Sequence, residues 1–150
     1  LFLIKKPNLL LDGKQKFFAI YDKKDGLVFS KKLPESRKRD LWMREMGEEN
    51  FKYFDQYSKE WFEEKGINCD EKRCEIKTPN GKVLIIKSRN KISEICSKLD
   101  SKIIINLSPE YKLPRCCNHG QTTISNDDFS KKSTHFVYFE KEEFRIETVR

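Results

Sequence analysis

Five cysteines are the residues of this sequence best able to do chemistry, and they stand at Cys69, Cys74, Cys96, Cys116 and Cys117. Zinc sites use tetrahedral thiolates, usually presented in pairs two residues apart, and a C-x4-C pair followed by isolated cysteines fits that spacing poorly. Two disulfides in an oxidising compartment are the better interpretation, because small domains with thin cores use such cross-links. The remaining interpretation is that the cysteines are free structural thiols. Since five is odd, at least one thiol must stay unpaired or pair with another molecule.

The two histidines, His119 and His135, are too few for the H-x-H-x-D-H signature of metal-dependent hydrolases. The G-x-S-x-G, G-x-G-x-x-G and H-E-x-x-H signatures are also missing, as is a phosphate loop. Cys116 or Cys117 could act as a nucleophile with His119, but catalytic Cys–His pairs usually lie far apart in sequence. The sequence therefore predicts no enzyme, no cofactor, no metal ligand and no small-molecule substrate.

Five basic residues fall within nine positions, at Lys31, Lys32, Arg37, Lys38 and Arg39. Such a run can neutralise DNA phosphates, with nearby aromatic side chains as stacking surfaces, or lie on anionic lipid. The net charge is +7, but 24 acidic residues are mixed among the 31 basic ones. We therefore rank an inert, solvated surface first and treat DNA contact and lipid contact as equal alternatives.

The elements that must position these residues begin with an antiparallel meander. Apolar runs at residues 8–12, 16–22 and 27–30 predict three strands, and Asp25-Gly26 predicts a hairpin between the last two. Ser36 can cap a helix over residues 37–46 that ends at Gly47. Aromatic residues at helical spacing predict a second helix over residues 49–65, whose aromatic face is core rather than a stacking site.

The second half of the chain reads as strands with one more helix. Asn80-Gly81 predicts a hairpin over residues 75–87 with a type I′ turn. A short helix over residues 91–99 should turn Ile92, Ile95 and Leu99 inward, before a buried strand at 102–107 and a loop at 109–120. Strands follow at 121–124, 135–140 and 144–149, the last two as a hairpin. The predicted fold is α+β, with antiparallel β hairpins and about three helices in one domain.

No stretch approaches the ~20 apolar residues that span a bilayer, and the 18 aromatic residues argue against disorder. Residues 1–4, which read LFLI, look like the end of a preceding apolar segment, with a first buried strand as the alternative.

Several segments, in this order along nearly the whole chain, resemble the C-terminal soluble region of alphaproteobacterial ComEC-type competence proteins. The segments are NLLLDG (8–13), FFAIY (17–21), RDLWM (39–43), Cys69-Asp70 with Cys74, Ile95-Cys96, a cysteine at 116 or 117, DDF (127–129), HFVY (135–138) and FRIETVR (144–150).

The resemblance implies a function in DNA uptake. The parent family forms an inner-membrane channel that passes single-stranded DNA into the bacterial cytoplasm, and many members attach a metallo-β-lactamase-like domain. This chain lacks both the metal-binding cluster and the channel, so neither nuclease activity nor transport is implied. What is implied is a non-catalytic, periplasmic accessory domain of an inner-membrane protein, whose partners are the channel portion of that protein and, weakly and without sequence preference, DNA.

The same resemblance bears on the fold and the gene. The element order would fit a degenerate half of the β-lactamase-like sandwich, and the disulfides of this hypothesis would be 69–74 and 96–116 or 96–117. The Lys-, Ile- and Asn-rich composition suits an AT-rich genome in which a competence gene survives as a split or decaying frame. The alternative is a zinc-stabilised nucleic-acid-binding module that uses Cys69, Cys74, Cys96 and Cys116 or Cys117. A third hypothesis is a hydrolase whose site these motifs do not reveal.

Overall fold

The computed structural model describes residues 5–33, 36–98, 100–118, 120–131, 134–141 and 143–149. Within these ranges the chain forms eleven strands and four short helices, which confirms the α+β class. In chain order the elements are β1 Leu9–Asp12, β2 Phe17–Asp22, β3 Gly26–Phe29, α1 Arg37–Met46, β4 Phe51–Tyr53, a 3-10 turn Phe54–Gln56, α2 Lys59–Lys65, β5 Ile67–Cys69, β6 Arg73–Thr78, β7 Gly81–Ile86, α3 Ile92–Cys96, β8 Ser101–Asn106, a 3-10 turn Arg115–Asn118, β9 Thr122–Ile124, α4 Asn126–Lys131, β10 Thr134–Phe139 and β11 Phe144–Val149.

The strands form two mixed sheets. Sheet A has the order β11-β10-β1-β2-β3-β4, and sheet B has the order β5-β6-β7-β8-β9. In sheet A only β3 and β4 are described as a parallel pair, whereas in sheet B β7 runs parallel to β8 and β8 runs parallel to β9. Sheet A joins the two ends of the chain, because Leu9 of β1 pairs with Val137 of β10.

The two sheets pack face to face, with a helix on each outer side. Successive side chains of a strand point to opposite faces, so Leu9 and Leu11 enter the core between the sheets while Leu10 faces α1. The core between the sheets also holds Phe18 and Val137 of sheet A, and Ile76, Val83, Ile85, Ile103, Ile105 and Ile124 of sheet B. The outer face of sheet A buries Trp42 of α1, and the outer face of sheet B buries Ile95 of α3. The layers are therefore helix, sheet, sheet and helix.

The predictions of the three-stranded meander and of the first helix are confirmed. Strands β1, β2 and β3 pair antiparallel, and Gly26 at the β2–β3 turn has φ 77°. Helix α1 spans Arg37–Met46, with the Ser36 side chain accepting from the Arg39 amide and Gly47 closing the helix at φ 66°. Glycine tolerates such left-handed backbone without a steric cost.

The predicted second helix over residues 49–65 is wrong in its first half. Phe51–Tyr53 is a strand that pairs parallel with β3, and helix α2 begins only after Ser58, whose hydroxyl accepts from the Trp61 amide. The edge of β3 offers unpaired backbone groups to residues 51–53, and this pairing overrides helical periodicity. The aromatic face is still partly buried, since Phe54, Trp61 and Phe62 pack against the core between the sheets.

Three further predictions need correction. The hairpin of β6 and β7 is present, but Thr78 pairs with Gly81, so Pro79 and Asn80 are the turn residues. A type I′ turn is wrong here because proline fixes a negative φ. Helix α3 ends at Cys96, and Ile92 is 68% exposed rather than turned inward. Helix α4 was not predicted.

The strand at residues 102–107 and the closing hairpin are confirmed as β8 and as β10 with β11. The predictions for Leu99 and for residues 1–4 fall outside the described residues. None of the helices in the described ranges is of the length and apolarity that crossing a bilayer requires.

Candidate functional site

One disulfide joins Cys69 to Cys74 at the edge of sheet B. The two residues are direct partners in the β5–β6 pairing, and their Cα atoms are 4.0 Å apart. The turn between them is closed by Asp70, whose Oδ1 accepts from the amides of Lys72 at 2.7 Å and Arg73 at 2.9 Å. The bond therefore fixes the end of a short hairpin whose β5 strand is only three residues long.

A second disulfide joins Cys96, at the end of α3, to Cys116 in the 3-10 turn Arg115–Asn118. The two residues are 20 positions apart in sequence. Both elements pack on the outer face of sheet B, where α3 contributes Ile95 and the loop contributes Tyr111. This disulfide therefore ties together the two segments that cover that face.

Cys117 is the free thiol among the described cysteines, and it is 1% exposed. It packs with Leu84, Ile86 and Ile104 against sheet B. Burial raises its pKa, because an apolar environment disfavours the thiolate. The structure thus pairs Cys116 rather than Cys117 with Cys96, a choice that the sequence left open.

Four of the five cysteines that were candidate zinc ligands are in disulfides. Across the part of the chain that is described, no three His, Cys, Asp or Glu side chains gather closely enough to hold a metal ion. A zinc site would therefore require both disulfides to be reduced and the segments that they join to move.

His135 lies on β10 in the space between the sheets and is 3% exposed. Its ring meets the Phe129 ring of α4 edge-on at 4.9 Å, and its Nδ1 has no hydrogen-bond partner. Burial lowers the pKa of the imidazole, and the nearby Asp128 carboxylate only partly opposes this. The side chain is a neutral core residue. The hypothesis that pairs His119 with a cysteine falls outside the described residues.

The basic run does not form one continuous surface. Lys31, Lys32 and Arg37 are exposed, and Lys32 lies 3.3 Å from Asp55 in an exposed ion pair. The Lys38 ammonium, by contrast, donates to Thr134 Oγ1 at 2.6 Å and so ties α1 to β10. Three of the five predicted contact residues are therefore exposed, although Lys31 also donates to the Gln15 carbonyl at 2.5 Å.

Arg39 is used inside the fold. Its guanidinium donates to the Leu33 carbonyl and to Tyr53 Oη at 2.8 Å, and pairs with Asp40 at 3.3 Å. The same group lies over the Phe51 ring, 4.8 Å from the centroid. These contacts hold the start of α1 against β4, so Arg39 acts as a structural residue.

A titratable cluster attaches α2 to the β2–β3 turn. Lys65 Nζ donates to Asp22 at 2.7 Å, and Trp61 Nε1 donates to Asp25 at 3.3 Å. Burial, followed by the contact with Asp25, raises the pKa of Tyr57 to about 12. The phenol therefore stays neutral at physiological pH, and the cluster holds a helix in position.

A cavity of about 1180 Å³ forms a groove along the β5 side of sheet B. Its charged lining consists of Lys59, Lys77, Lys82, Lys87, Lys98, Asp55, Glu63, Asp70 and Glu75. Much of this charge is paired, as in Lys98 with Glu75 at 3.1 Å and Lys82 with Asp100 at 2.8 Å. Lys87 has a pKa lowered by burial. A groove so evenly charged gives no preference for one sign of ligand.

A group of cations that the sequence analysis missed lies beside α3. Lys72 from the β5–β6 turn and Arg89 and Lys91 from the loop after β7 line one hollow of about 580 Å³. The alternating basic residues at 87, 89 and 91 were a signal in the sequence. Lys72, however, comes from a different loop, and only the fold brings it to them.

Comparisons of this chain with family models, with curated proteins and with solved structures each gave no match. Function must therefore be inferred from the residues and their geometry.

Proposed function

We propose that this chain is a non-catalytic, disulfide-stabilised periplasmic domain of a ComEC-type DNA-uptake protein, and that it acts through contact with the channel portion of that protein. The observation that carries the proposal is the use of four of the five cysteines in two intramolecular disulfides. Disulfides form and persist in oxidising compartments such as the periplasm. The proposal therefore has the domain on the outer side of the inner membrane.

The non-catalytic part of the proposal is supported by what the reactive side chains do in the fold. A thiolate rather than a thiol is the nucleophile in cysteine chemistry, and the buried Cys117 has a raised pKa that keeps it protonated. His135 is enclosed between the sheets against Phe129. Both groups serve packing, and neither faces a substrate.

The parentage is supported by where the resembling segments lie. NLLLDG forms β1 and its turn, FFAIY lies in β2, RDLWM lies in α1, and HFVY lies in β10. These elements build sheet A together with the helix that covers it. The layers of helix, sheet, sheet and helix are also compatible with the β-lactamase-like ancestry that the resemblance implies.

A direct test of the parentage is the genomic sequence just upstream of this chain. We expect an open or interrupted frame that encodes several transmembrane helices. An intact upstream gene for an unrelated protein, with its own stop codon and no transmembrane segments, would contradict the proposal.

A test of the contact uses the oxidised domain and the purified channel portion in detergent. We expect saturable binding in a 1:1 ratio that is lost when both disulfides are reduced. A control for catalysis incubates the domain with nucleic acid and divalent metals, and we expect no turnover of the nucleic acid. Turnover that His119→Ala abolishes would show that the domain is an enzyme.

A further inference from the structure

Two loops on the outer side of sheet B are locked together by one buried amide. Asn90, 4% exposed, donates from Nδ2 to the carbonyls of Ser88 at 2.8 Å and Lys72 at 3.3 Å. Its Oδ1 accepts from Arg73 Nη1 at 2.9 Å. The Lys72 carbonyl also accepts from the Lys87 amide at 2.8 Å. The β5–β6 turn and the loop after β7 therefore form one rigid unit.

This unit holds three cations side by side. Lys72, Arg89 and Lys91 are all exposed and line the same hollow of about 580 Å³. None of them is in an ion pair with another described residue. We call Lys72, Arg89, Lys91 and the adjoining Ile92 the loop patch.

The carboxylates nearest to the loop patch are mostly engaged. Glu94 pairs with Arg73 at 2.9 Å, and Asp70 accepts from the two amides of its own turn and lies 3.9 Å from Arg73. Glu71 is the exposed acid that remains beside Lys72. The loop patch therefore keeps an excess of positive charge that is free to meet an anion.

An exposed apolar side chain lines the same hollow as these cations. Ile92 opens α3 and lines the hollow with the cations, and it is 68% exposed, against 36% for Leu41 and 37% for Phe51. A single exposed isoleucine is ordinary, but one placed among three unpaired cations matches a membrane interface. There the apolar group enters the boundary between headgroups and acyl chains, while the cations meet anionic headgroups.

We propose that the loop patch docks the domain on an anionic lipid surface, with Lys72, Arg89 and Lys91 on phosphate-bearing headgroups and Ile92 inserted. Lipid fits better than single-stranded nucleic acid, because an aliphatic side chain offers no face on which bases stack. Helix α3 is held in place for this by Arg73–Glu94 and by the Cys96–Cys116 disulfide. The inference rests on this geometry and does not depend on the DNA-uptake proposal.

The test compares two variants that remove the same charge, one from the loop patch and one from elsewhere on the surface. One carries Lys72→Gln, Arg89→Gln and Lys91→Gln. The matched control carries Lys31→Gln, Lys32→Gln and Arg37→Gln, three exposed cations that do not line the hollow of the loop patch. Binding of the oxidised protein to phosphatidylcholine vesicles, with and without phosphatidylglycerol, is measured by cosedimentation at low salt.

Each basic residue near an anionic surface contributes about fivefold in affinity, so the loop-patch variant should bind anionic vesicles about 100-fold more weakly. The control should lose less than about fivefold, since its cations lie outside the loop patch that contacts the headgroups. Ile92→Ser should weaken vesicle binding but leave binding to a single-stranded oligonucleotide unchanged.

Equal losses for the two triple variants would overturn the proposal, as would full vesicle binding by Ile92→Ser. So would a loop-patch variant that loses oligonucleotide binding while its vesicle binding stays intact. Absence of binding to anionic vesicles by the unmodified chain at low salt would overturn it as well.

Discussion

The guanidinium of Arg39 lies over the ring of Phe51, with its central carbon 4.8 Å from the ring centroid. The first residue belongs to α1 and the second to the edge strand β4, so the contact joins a helix to a strand that follows it in the chain. A side chain whose sequence neighbourhood suggested an external polyanion thus contributes to the stability of the fold.

Replacement of Arg39 should therefore be destabilising. We expect Arg39→Ala to lower the free energy of unfolding by about 2 kcal/mol, because the Leu33 carbonyl and the Tyr53 hydroxyl lose a charged donor. Arg37→Ala, the control on the exposed face of the same helix turn, should change it by less than about 0.5 kcal/mol. Urea unfolding followed by circular dichroism measures both. Similar losses for the two variants would show that Arg39 is not a structural contact.

His135 should make stability depend on pH. Its folded-state pKa lies below the ordinary value of 6.5 because burial disfavours the charged ring. The unfolded chain therefore binds the proton first as the pH falls. The stabilisation is fully present above about pH 6.5 and is lost as the pH falls from there toward the lowered folded pKa.

The measurement is the midpoint of urea unfolding at several pH values between about 7 and 5, a window above the ordinary range of carboxylates. The unmodified chain should lose stability across this window. His135→Leu should show a flatter profile, because the group that takes up the proton on unfolding is gone. Parallel profiles for the two proteins would contradict the assignment of His135 as a buried neutral base.

The two disulfides should differ in what they contribute. The chain-entropy relation gives about 3 kcal/mol for a loop the length of Cys96–Cys116 and about 2 kcal/mol for the short Cys69–Cys74 loop. Replacing Cys96 and Cys116 together by alanine should therefore lower the urea midpoint more than replacing Cys69 and Cys74. Each double variant is compared with the oxidised parent at the same pH. The opposite order would mean that the short hairpin, rather than the cover of sheet B, limits stability.

DNA binding through the basic run should be weak and strongly dependent on salt. For single strands, the logarithm of the binding constant falls by about 0.7 per phosphate neutralised for each unit of log salt. Because Lys38 and Arg39 are engaged inside the fold, phosphate contacts are left to the exposed Lys31, Lys32 and Arg37. A phosphate would replace the surface contacts of Lys31 with Gln15 and of Lys32 with Asp55.

The variant with all three exposed cations replaced by glutamine should thus reduce the slope by about 2. Fluorescence anisotropy with a labelled oligonucleotide at several salt concentrations provides the slope. As a control, Lys38→Gln should leave it nearly unchanged. Tight binding that persists at high salt would refute the prediction of weak, non-specific contact.

The elements that the sequence predicted are those fixed by local chemistry. Helix α1 could be placed to the residue because Ser36 and Gly47 cap its two ends. The hairpins of β2 with β3 and of β10 with β11 are likewise set by short turns between apolar runs. Capping and turn preferences act over a few residues and can be read without the rest of the chain.

The wrong predictions concern residues whose conformation depends on partners far away in the sequence. Residues 51–53 have helical periodicity but pair with β3, and Ile92 has the spacing of a core residue but opens a helix of only five residues. The sequence does not show which of the neighbouring Cys116 and Cys117 side chains is buried against sheet B and which is left to form the disulfide. Residue 72 and residues 89–92 lie in different loops. They come together in the loop patch only because β6 and β7 pair.

The pairing of Leu9 with Val137 constrains the order in which this protein can be completed. Strand β1 has β2 on one side, but its other side stays unsatisfied until β10 has been synthesised, so sheet A cannot close before that point. Contacts between residues so far apart in sequence also form slowly, because the loop entropy is lost before the contact is gained. Closure of sheet A should therefore be a late and slow step in the folding of this chain.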